Sequence, residues 1–488
     1  MKHLHLFDEE IDFESAKNML EFPWLCFVEE TSKSICMAAY KPNTSVYYKI
    51  EDNTLYIRGT EQEGYSERVL YADINSAKNG WYTASNKAQI TKAVIEEVIS
   101  PTSCVRFFDG MSGMTTIENI ENLKMDNATD MTTMFQDCNV LTSVGDISNW
   151  NVSNVTNMRY MFANCNTLTS VDNLDNWNVG NVTDMSYMFS QCNALTSVGN
   201  LSNWNVANVT TMYAMFNQCY ALASVGNLSK WNVGNVTSMA GMFSECNVLT
   251  SIGDLGNWDV DNVIRMDGMF NECNVLTSIG DLDNWNVDNV TNMRVMFNGC
   301  YTLASIGNIS NWNVSKVTSM EGMFNSNDHS KPLILTSIGD ISRWDVSNVT
   351  DMHYMFRGCT SLDKLNMSSW NTSKVTTMSE AFSNYYNGNK YTDFSIPKIN
   401  VPPIPKDCNV DHAFSFDYSL TTIESSGKIS KSLNFQWSPL THDSAMVLIN
   451  ALDSENVGTL TLSTATKETL TEEEIAIATG KGWTIAAA

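Results

Sequence analysis

Positive charge is scarce in this chain: 29 lysines and arginines face 54 aspartates and glutamates, giving a formal charge of −25. Such a chain repels phosphate backbones and anionic lipid, which argues against nucleic acid or a charged membrane surface as partner. Charge of either sign is thin, at 17 % of residues, so Asn, Ser and Thr carry much of the polar surface. No stretch approaches the roughly 18 apolar residues of a spanning helix, and no membrane insertion is expected. The opening MKHLHLFDEEIDFES lacks the apolar run and small-residue cleavage site of a signal peptide. On this reading the chain folds in a cytoplasm. Catalytic signatures are missing too. His3, His5, His329, His353, His412 and His442 are scattered, without metal or triad spacing. There is no Gly-rich phosphate loop, Cys-x-x-Cys pair, nucleophile elbow or paired-carboxylate constellation. Neither an enzyme nor a cofactor or metal site is expected.

What the chain has is repetition, which dominates its 488 residues and outweighs any single-core reading at this length. Met-Phe recurs at Met134-Phe135, Met161-Phe162, Met188-Phe189, Met215-Phe216, Met242-Phe243, Met269-Phe270, Met296-Phe297 and Met323-Phe324, always 27 residues apart. Met355-Phe356 follows after 32, so five extra residues fall within Asn327 to Leu335, and Ala381-Phe382 comes 26 further on. Trp150, Trp177, Trp204, Trp231, Trp258, Trp285, Trp312, Trp344 and Trp370 keep the same beat, with Leu123 in that place in the first copy.

Within a repeat the apolar positions step mostly by three: Val152, Val155, Met158, Met161, Cys165, Leu168, Val171, Leu174. Neither strand nor helix periodicity fits throughout. A coil that turns an apolar residue inward at each short side does fit, and stacked neighbours supply the burial that one coil lacks. The spacing predicts one short strand per coil, as at Leu195 to Val198, and one helical turn, as at Met185 to Cys192.

Cys138, Cys165, Cys192, Cys219, Cys246, Cys273 and Cys300 fall once per repeat in one register. A column of identical thiols reads as a buried apolar rank rather than a disulfide framework. The Asn of Asn-Val-Thr (Asn154, Asn181, Asn208, Asn235, Asn262, Asn289) is expected to form a buried ladder capping backbone groups. Dense Asn-x-Ser/Thr sequons would be glycosylated in eukaryotic secretion, which favours a prokaryotic or phage origin. Asp146, Asp254, Asp281 and Asp340, with Asn173, Asn200, Asn227 and Asn308 between them, lie near Asp259, Asp261, Asp283 and Asp288. They form either a calcium-holding column or, more commonly for such a pattern, a solvated turn.

The motif Trp-Asn-Val-x-Asn-Val-Thr-x-Met-x-x-Met-Phe-x-x-Cys-x-x-Leu-Thr-Ser closely resembles the BspA-like leucine-rich repeat of bacterial surface proteins, over about residues 123 to 382. The resemblance implies an α/β, right-handed leucine-rich-repeat solenoid of about ten coils, often adhesive and without a catalytic site. Asn327 and Tyr385 replace Cys, and Lys316 and Lys374 replace the ladder Asn, which points to a looser C-terminal end. The segment from Leu440-Thr441-His442 through Leu470-Thr471-Glu472 to Gly482-Trp483-Thr484-Ile485 resembles the terminal module of such proteins, an α/β cap. Thr441 and Thr471 read as helix N-caps, with Glu474 completing a capping box.

Four regions follow: a β-rich N-terminal docking domain at 1–116, the solenoid at 117–384, a Pro-containing extended linker at 385–411 (Pro397, Pro402, Pro403, Pro405), and a degenerate repeat with capping module at 412–488. In the first, Val46 to Ile50 and Thr54 to Ile57 read as a hairpin around Glu51-Asp52-Asn53. Asn86 to Ser100 reads as an amphipathic helix. Leu4-His5-Leu6-Phe7-Asp8-Glu9-Glu10, then Pro23-Trp24-Leu25 and Val28-Glu29-Glu30, resemble the opening of virion structural proteins from tailed (crAss-like) phages of gut bacteria.

Variation among repeats points to a surface. The pair between the two Met positions changes freely: Arg159-Tyr160, Ser186-Tyr187, Tyr213-Ala214, Ala240-Gly241, Asp267-Gly268, Arg294-Val295, Glu321-Gly322, His353-Tyr354. Tyr160, Tyr187, Tyr213, Tyr354, Arg159 and Arg294 are the candidate binding residues, since Tyr and Arg are favoured at interfaces; drift on a free surface is the plainer explanation. Tyr220 and Tyr301 lie just after the Cys column. The expected function is non-catalytic: a virion-associated fibre or decoration protein, docked to other virion proteins through 1–116. It would present the solenoid to host-surface glycan or protein, and it would be a homo-oligomer such as a trimer. The alternative is a bacterial cell-surface adhesin.

Overall fold

The computed structural model describes residues 42–70, 81, 84–171, 174–328, 331–383, 396–415 and 418–488, with the backbone alone of six further strands. Asn173, His329 and Tyr385 lie outside the described residues, as do the side chains of the opening segments likened to virion proteins. The chain forms two compact units, Met1–Cys192 and Asn193–Ala488.

The first unit opens with β1 (His3–Leu6), β2 (Glu9–Asp12), β3 (Leu25–Val28) and β4 (Ser34–Met37), an antiparallel sheet in the order β2-β1-β3-β4. A second sheet runs β7-β5-β6-β8-β9, from β5 (Ser45–Glu51), β6 (Thr54–Arg58), β7 (Ser66–Val69), β8 (Lys92–Ile95) and β9 (Thr116–Glu118). β5 and β6 form the expected hairpin. Its turn residues Asp52 and Asn53 sit at φ 46° and 56°, the left-handed pair that a two-residue turn of this twist demands. β6, β8 and β9 pair in parallel, and with that change of direction the winding begins.

Two expectations fail here. Residues 86–100 are not a helix: a 3-10 turn at Lys87–Gln89 leads into β8, whose Ala93 and Ile95 are fully buried. Val94, Ile95, Val98 and Ile99 are β-branched, stiff in a helix and well suited to a pleated surface. The coils also start before residue 117. Cys104 N donates to Asp130 O at 2.8 Å, Phe108 N donates to Met134 O at 2.7 Å, and the Phe108 ring stacks on Phe135 at 5.2 Å. This coil was hidden because Cys104 occupies the Met column and Met111 the Cys column.

The coil itself is neither strand nor helix. At Leu-Thr-Ser there is only an isolated parallel bridge, such as Ser251 to Ser278, in place of the expected strand. A second bridge column precedes each first Met: Asn157 to Asp184 in the first unit, and Ser238, Arg265, Asn292 and Ser319 in sequence in the second. The expected helical turn is a pair of tight turns instead. Met161 N donates to Met158 O and Cys165 N to Phe162 O, with Tyr160 and Asn164 at φ 56° and 62°. A positive φ at the third residue marks type II turns. Helix and turns share the three-residue apolar spacing, so the pattern alone does not separate them. A 3-10 turn, as at Leu201–Asn203, then leads to Trp.

In the second unit Phe216, Phe243, Phe270, Phe297, Phe324 and Phe356 stack at 5.5–6.1 Å, and Trp204, Trp231 and Trp258 at 6.4–6.5 Å. The indole N–H of Trp231 donates to Leu201 O at 2.9 Å and that of Trp258 to Leu228 O at 3.0 Å.

The expected linker is not one, as far as it is described. β13 (Ile399–Asn400) pairs in parallel with β10 (Leu365–Asn366), Met378 N donates to Asn409 O, and Val401, Ile404 and Cys408 are buried. Proline is tolerated where its own carbonyl, not the missing N–H, makes the bond to the neighbouring coil: Pro403 O accepts from Thr372 Oγ1 at 2.6 Å. Between them, β11 (Tyr386–Asn387) and β12 (Lys390–Tyr391) make a short antiparallel pair. Phe414 then stacks on Phe382 at 5.2 Å and Phe435 on Phe414 at 4.6 Å.

The unit ends in a parallel sheet, β14 (Leu433–Phe435), β15 (Thr459–Leu462) and β16 (Thr484–Ala487), with α1 (His442–Ala451), α2 (Thr464–Lys467) and α3 (Glu472–Gly480). Thr471 and Glu474 form the capping box. His442 Nε2 lies 3.0 Å from Glu474 Oε1, tying α1 to α3. That carboxylate, then Asp443, raises the imidazole pKa, while a backbone N–H of Thr471 and His442 lower that of Glu474.

Two measurements check these assignments. Phe243→Ala, which empties a fully buried site between two stacked rings, is expected to cost about 3–5 kcal/mol in denaturant unfolding. The His442–Glu474 pair contributes fully below the unfolded His value of about 6.5 and above the unfolded Glu value of about 4.3. It fades as pH rises through the raised imidazole value. The melting temperature is expected to fall between pH 6 and 8, and this slope should flatten in His442→Gln.

Candidate functional site

The site is built on the paired turns. In each, alternate N–H groups serve two purposes. Tyr160, Phe162 and Asn164 donate to Ser186, Met188 and Ser190 of the next coil at 2.8–3.0 Å, while Met161, Ala163 and Cys165 close the turn on their own coil. The second unit repeats this at Ala214, Phe216 and Gln218, which donate to Ala240, Met242 and Ser244. Turning alternate N–H groups along the stack requires a left-handed residue at one fixed place. Thr133, Tyr160 and Tyr187 hold it in the first unit, and Ala214, Val295 and Tyr354 in the second, at φ 48–59°. Gly241, Gly268 and Gly322 hold it elsewhere, at φ 58–62°. The free variation seen in this column therefore operates under a backbone constraint: glycine is the unstrained choice, and a side chain there costs roughly 1–2 kcal/mol.

Tyr160 and Tyr187 carry that cost side by side. Their rings stack at 4.4 Å and 9° between planes, half-exposed, with the exposed Arg159 guanidinium 5.0 Å above Tyr160. In the second unit the candidates are more fully engaged. Arg294 is held by two bonds to Glu321, at 2.6 and 3.0 Å. Tyr213, one place before the left-handed position, lies under Arg265 at 5.5 Å, which itself clasps Asp267 at 2.7 and 2.9 Å. Tyr354 lies under Arg357 at 4.4 Å and against His353. The stacked pair with Arg159 is thus brought together, and Arg294 is largely neutralised.

Tyr220 and Tyr301 belong to a different network. Tyr220 OH donates to Glu245 Oε2 at 3.1 Å, and Tyr301 OH donates to Asn327 Oδ1. Asn327 reaches back to Glu272 Oε1 at 2.9 Å and so pins the inserted loop. Burial, then the neighbouring Glu245, raises the Glu272 carboxyl pKa. Neither this second-turn column (Gln218, Glu245, Glu272) nor the amide ladder of Asn271, Asn298 and Asn325, bonded at 2.7–2.8 Å, was foreseen. Their signal was a polar residue recurring in one register beside Cys or Phe.

The remaining columns serve the backbone. Asn154 donates to Asp126 O, Asn181 to Ser153 O, Asn235 to Ala207 O, Asn262 to Gly234 O and Asn289 to Asp261 O, at 2.6–2.8 Å. These asparagines, Asn208 included, are exposed rather than buried as expected. Lys316 and Lys374 bond Asn289 and Asn348 at 2.7 and 2.6 Å, so they prolong the column instead of loosening it. The thiols of Cys138, Cys165 and Cys192 donate to the Phe carbonyl of the coil before at 3.1–3.2 Å, as do Cys246, Cys273 and Cys300. Cys219 is buried like them. Burial pushes the thiols of Cys138, Cys165, Cys246, Cys273 and Cys300 up, the last to about 12. The Asp/Asn column caps the 3-10 turns: Asp146, Asn200, Asn227, Asn308 and Asp340 each accept the N–H two residues on, at 3.0–3.1 Å. Asp and Asn interchange because one oxygen suffices. Among the described residues no group of three or more His, Cys, Asp or Glu is placed to hold a metal.

The left-handed requirement is testable at Gly241, where an added Cβ meets nothing nearer than 3.9 Å. Gly241→Val is expected to lower stability by roughly 1–2 kcal/mol through backbone strain alone, and Gly241→Asn by less, in parallel chemical melts.

A family described as Mycoplasma protein of unknown function, DUF285, matches residues 102–225, 197–305, 222–337 and 307–396. No curated protein matches. Among solved structures, the functional domain of InlJ from Listeria monocytogenes, described as including a cysteine ladder, is 14 % identical over 69 % of this chain and 72 % of that one, with a TM-score of 0.15. So loose a superposition carries no argument. The family matches together span 102–396, more than half of the 488 residues and the stretch that bears the repeat: the chain belongs to the DUF285 family of repeat proteins.

Proposed function

We propose that the chain is a non-catalytic binding protein whose repeats present the Tyr/Arg surface of the paired turns to a protein partner. The observation that supports this is the retention of two adjacent stacked rings, Tyr160 and Tyr187, in a strained conformation that three coils relieve with glycine. Strain kept at a half-exposed position is a pointer to use. Two stacked rings beside Arg159 offer large, rigid, amphipathic contact area with a fixed cation.

The finer reading is a virion-associated fibre or decoration protein of a tailed phage, docked through residues 1–116 and oligomeric. Its support is the resemblance of Leu4 to Glu10 and Pro23 to Glu30 to virion proteins, a region the family match does not reach. A bacterial cell-surface protein is the second reading, favoured by a family whose description names a cellular bacterium.

Mass spectrometry and immunogold labelling of purified particles separate the two. A fixed stoichiometry on capsid or tail supports the virion reading; absence there with labelling of the bacterial envelope supports the second. In either setting the double variant Tyr160→Gly/Tyr187→Gly is expected to keep or raise the melting temperature while losing attachment to the partner surface. Unchanged attachment would remove this face from the proposal.

A further inference from the structure

In the second unit most coils turn a corner at Gly-Asp or Gly-Asn, and that glycine lies against the Asp or Asn side chain of the coil before it. A Cβ on Gly226 would collide with Asn200 Oδ1, on Gly253 with Asn227 Oδ1, on Gly280 with Asp254 Oδ1 and on Gly339 with Asn308 Oδ1. Each cap is therefore covered by the next corner. The coil from Leu362 to Trp370 breaks the series. It takes eight steps from Leu to Trp where Leu335 to Trp344 takes nine, and Asn366 follows Leu365 with no glycine between. Asp340 is left without its cover. A cleft of about 250 Å³ opens at that place, lined by Thr336, Ser337, Gly339 and Asp340 of one coil and Asp363, Lys364 and Asn366 of the next.

We propose that this cleft is a saccharide site, taking one neutral, hydroxyl-rich sugar residue or a disaccharide. The lining decides the class. Asp340 and Asp363 repel an anion. The Lys364 ammonium beside them, 3.6 Å from Glu424, disfavours a metal ion or a guanidinium. No apolar side chain lines the cleft, which leaves nothing for an apolar ligand. The Asp363 backbone N–H donates to Thr336 O at 3.3 Å, but its carboxylate has no hydrogen-bond or ion-pair partner among the described residues, and Asp340 accepts the Ser342 N–H at 3.0 Å through one oxygen. The carboxylates accept from neighbouring hydroxyls, while Lys364, the Asn366 amide and the Thr336 hydroxyl donate to sugar oxygens. The volume is below the roughly 300–1,000 Å³ of pockets for larger small molecules. This site is separate from the Tyr/Arg surface and does not depend on that reading.

Saturation-transfer NMR on the full chain tests it, with methyl α-D-glucopyranoside, methyl β-D-galactopyranoside and N-acetyl-D-glucosamine as probes. At least one is expected to bind. Asp363→Ala, which removes an exposed carboxylate that has no partner among the described residues and leaves the backbone bond in place, is expected to weaken that sugar about tenfold, as loss of a hydrogen bond to a charged group does, with an unchanged melt. A glycine inserted between Leu365 and Asn366 should restore the missing corner and abolish binding. No transfer from any of the three sugars overturns the proposal. So does transfer that survives both variants, or a calcium titration that moves the Asp340 and Asp363 resonances where the sugars do not.

Discussion

Each unit depends on the division of backbone N–H groups in the paired turns. One N–H closes the turn, the next reaches the neighbouring coil, and the alternation satisfies successive N–H groups, as from Tyr160 to Cys165, without a helix or a continuous strand. Where β-ladders do this for a sheet, here single bridges suffice because the turns share the work. Everything else follows from that arrangement. Phe and Trp stack because their coils are held in register, the Cys thiol reaches the preceding Phe carbonyl, and the Thr of Asn-Val-Thr bonds the same carbonyl twice, as Thr156 does to Thr129 O at 2.9 and 3.1 Å.

Much of this was legible in the sequence and some was not, for physical reasons. The Trp, Met, Phe, Cys and Asn columns announce themselves because identical neighbours make identical bonds at one spacing. Turn conformation does not, since Tyr, Asn, Gln and Glu all occupy the left-handed positions in this chain. Gly241, Gly268 and Gly322 were the visible trace, and they read as drift while the backbone demand was unknown. The coil at Cys104 to Met111 escaped because two apolar types had exchanged columns without changing the packing. The stretch 396–411 escaped because prolines advertise an extended linker, whereas these sit where carbonyls carry the bonding.

The acidic balance also has a local explanation. Many carboxylates are spent on the chain itself: Asp146 and Asp340 cap turns, Glu272 pins the inserted loop, Glu474 closes a capping box, and Glu321 holds Arg294. The candidate recognition groups differ in facing outward: Arg159 beside the stacked Tyr160 and Tyr187, and the Asp363 carboxylate in the uncovered corner.

The 27-residue beat kept from Met134 to Met323 has an evolutionary consequence. A coil duplicated or excised whole leaves each of its former neighbours facing an equivalent partner. Copy number can thus change by recombination between near-identical segments without passing through an unfolded ancestor. A change of a single residue is absorbed at one corner, and so the gene can lengthen or shorten its product in steps while sampling new surface chemistry one corner at a time.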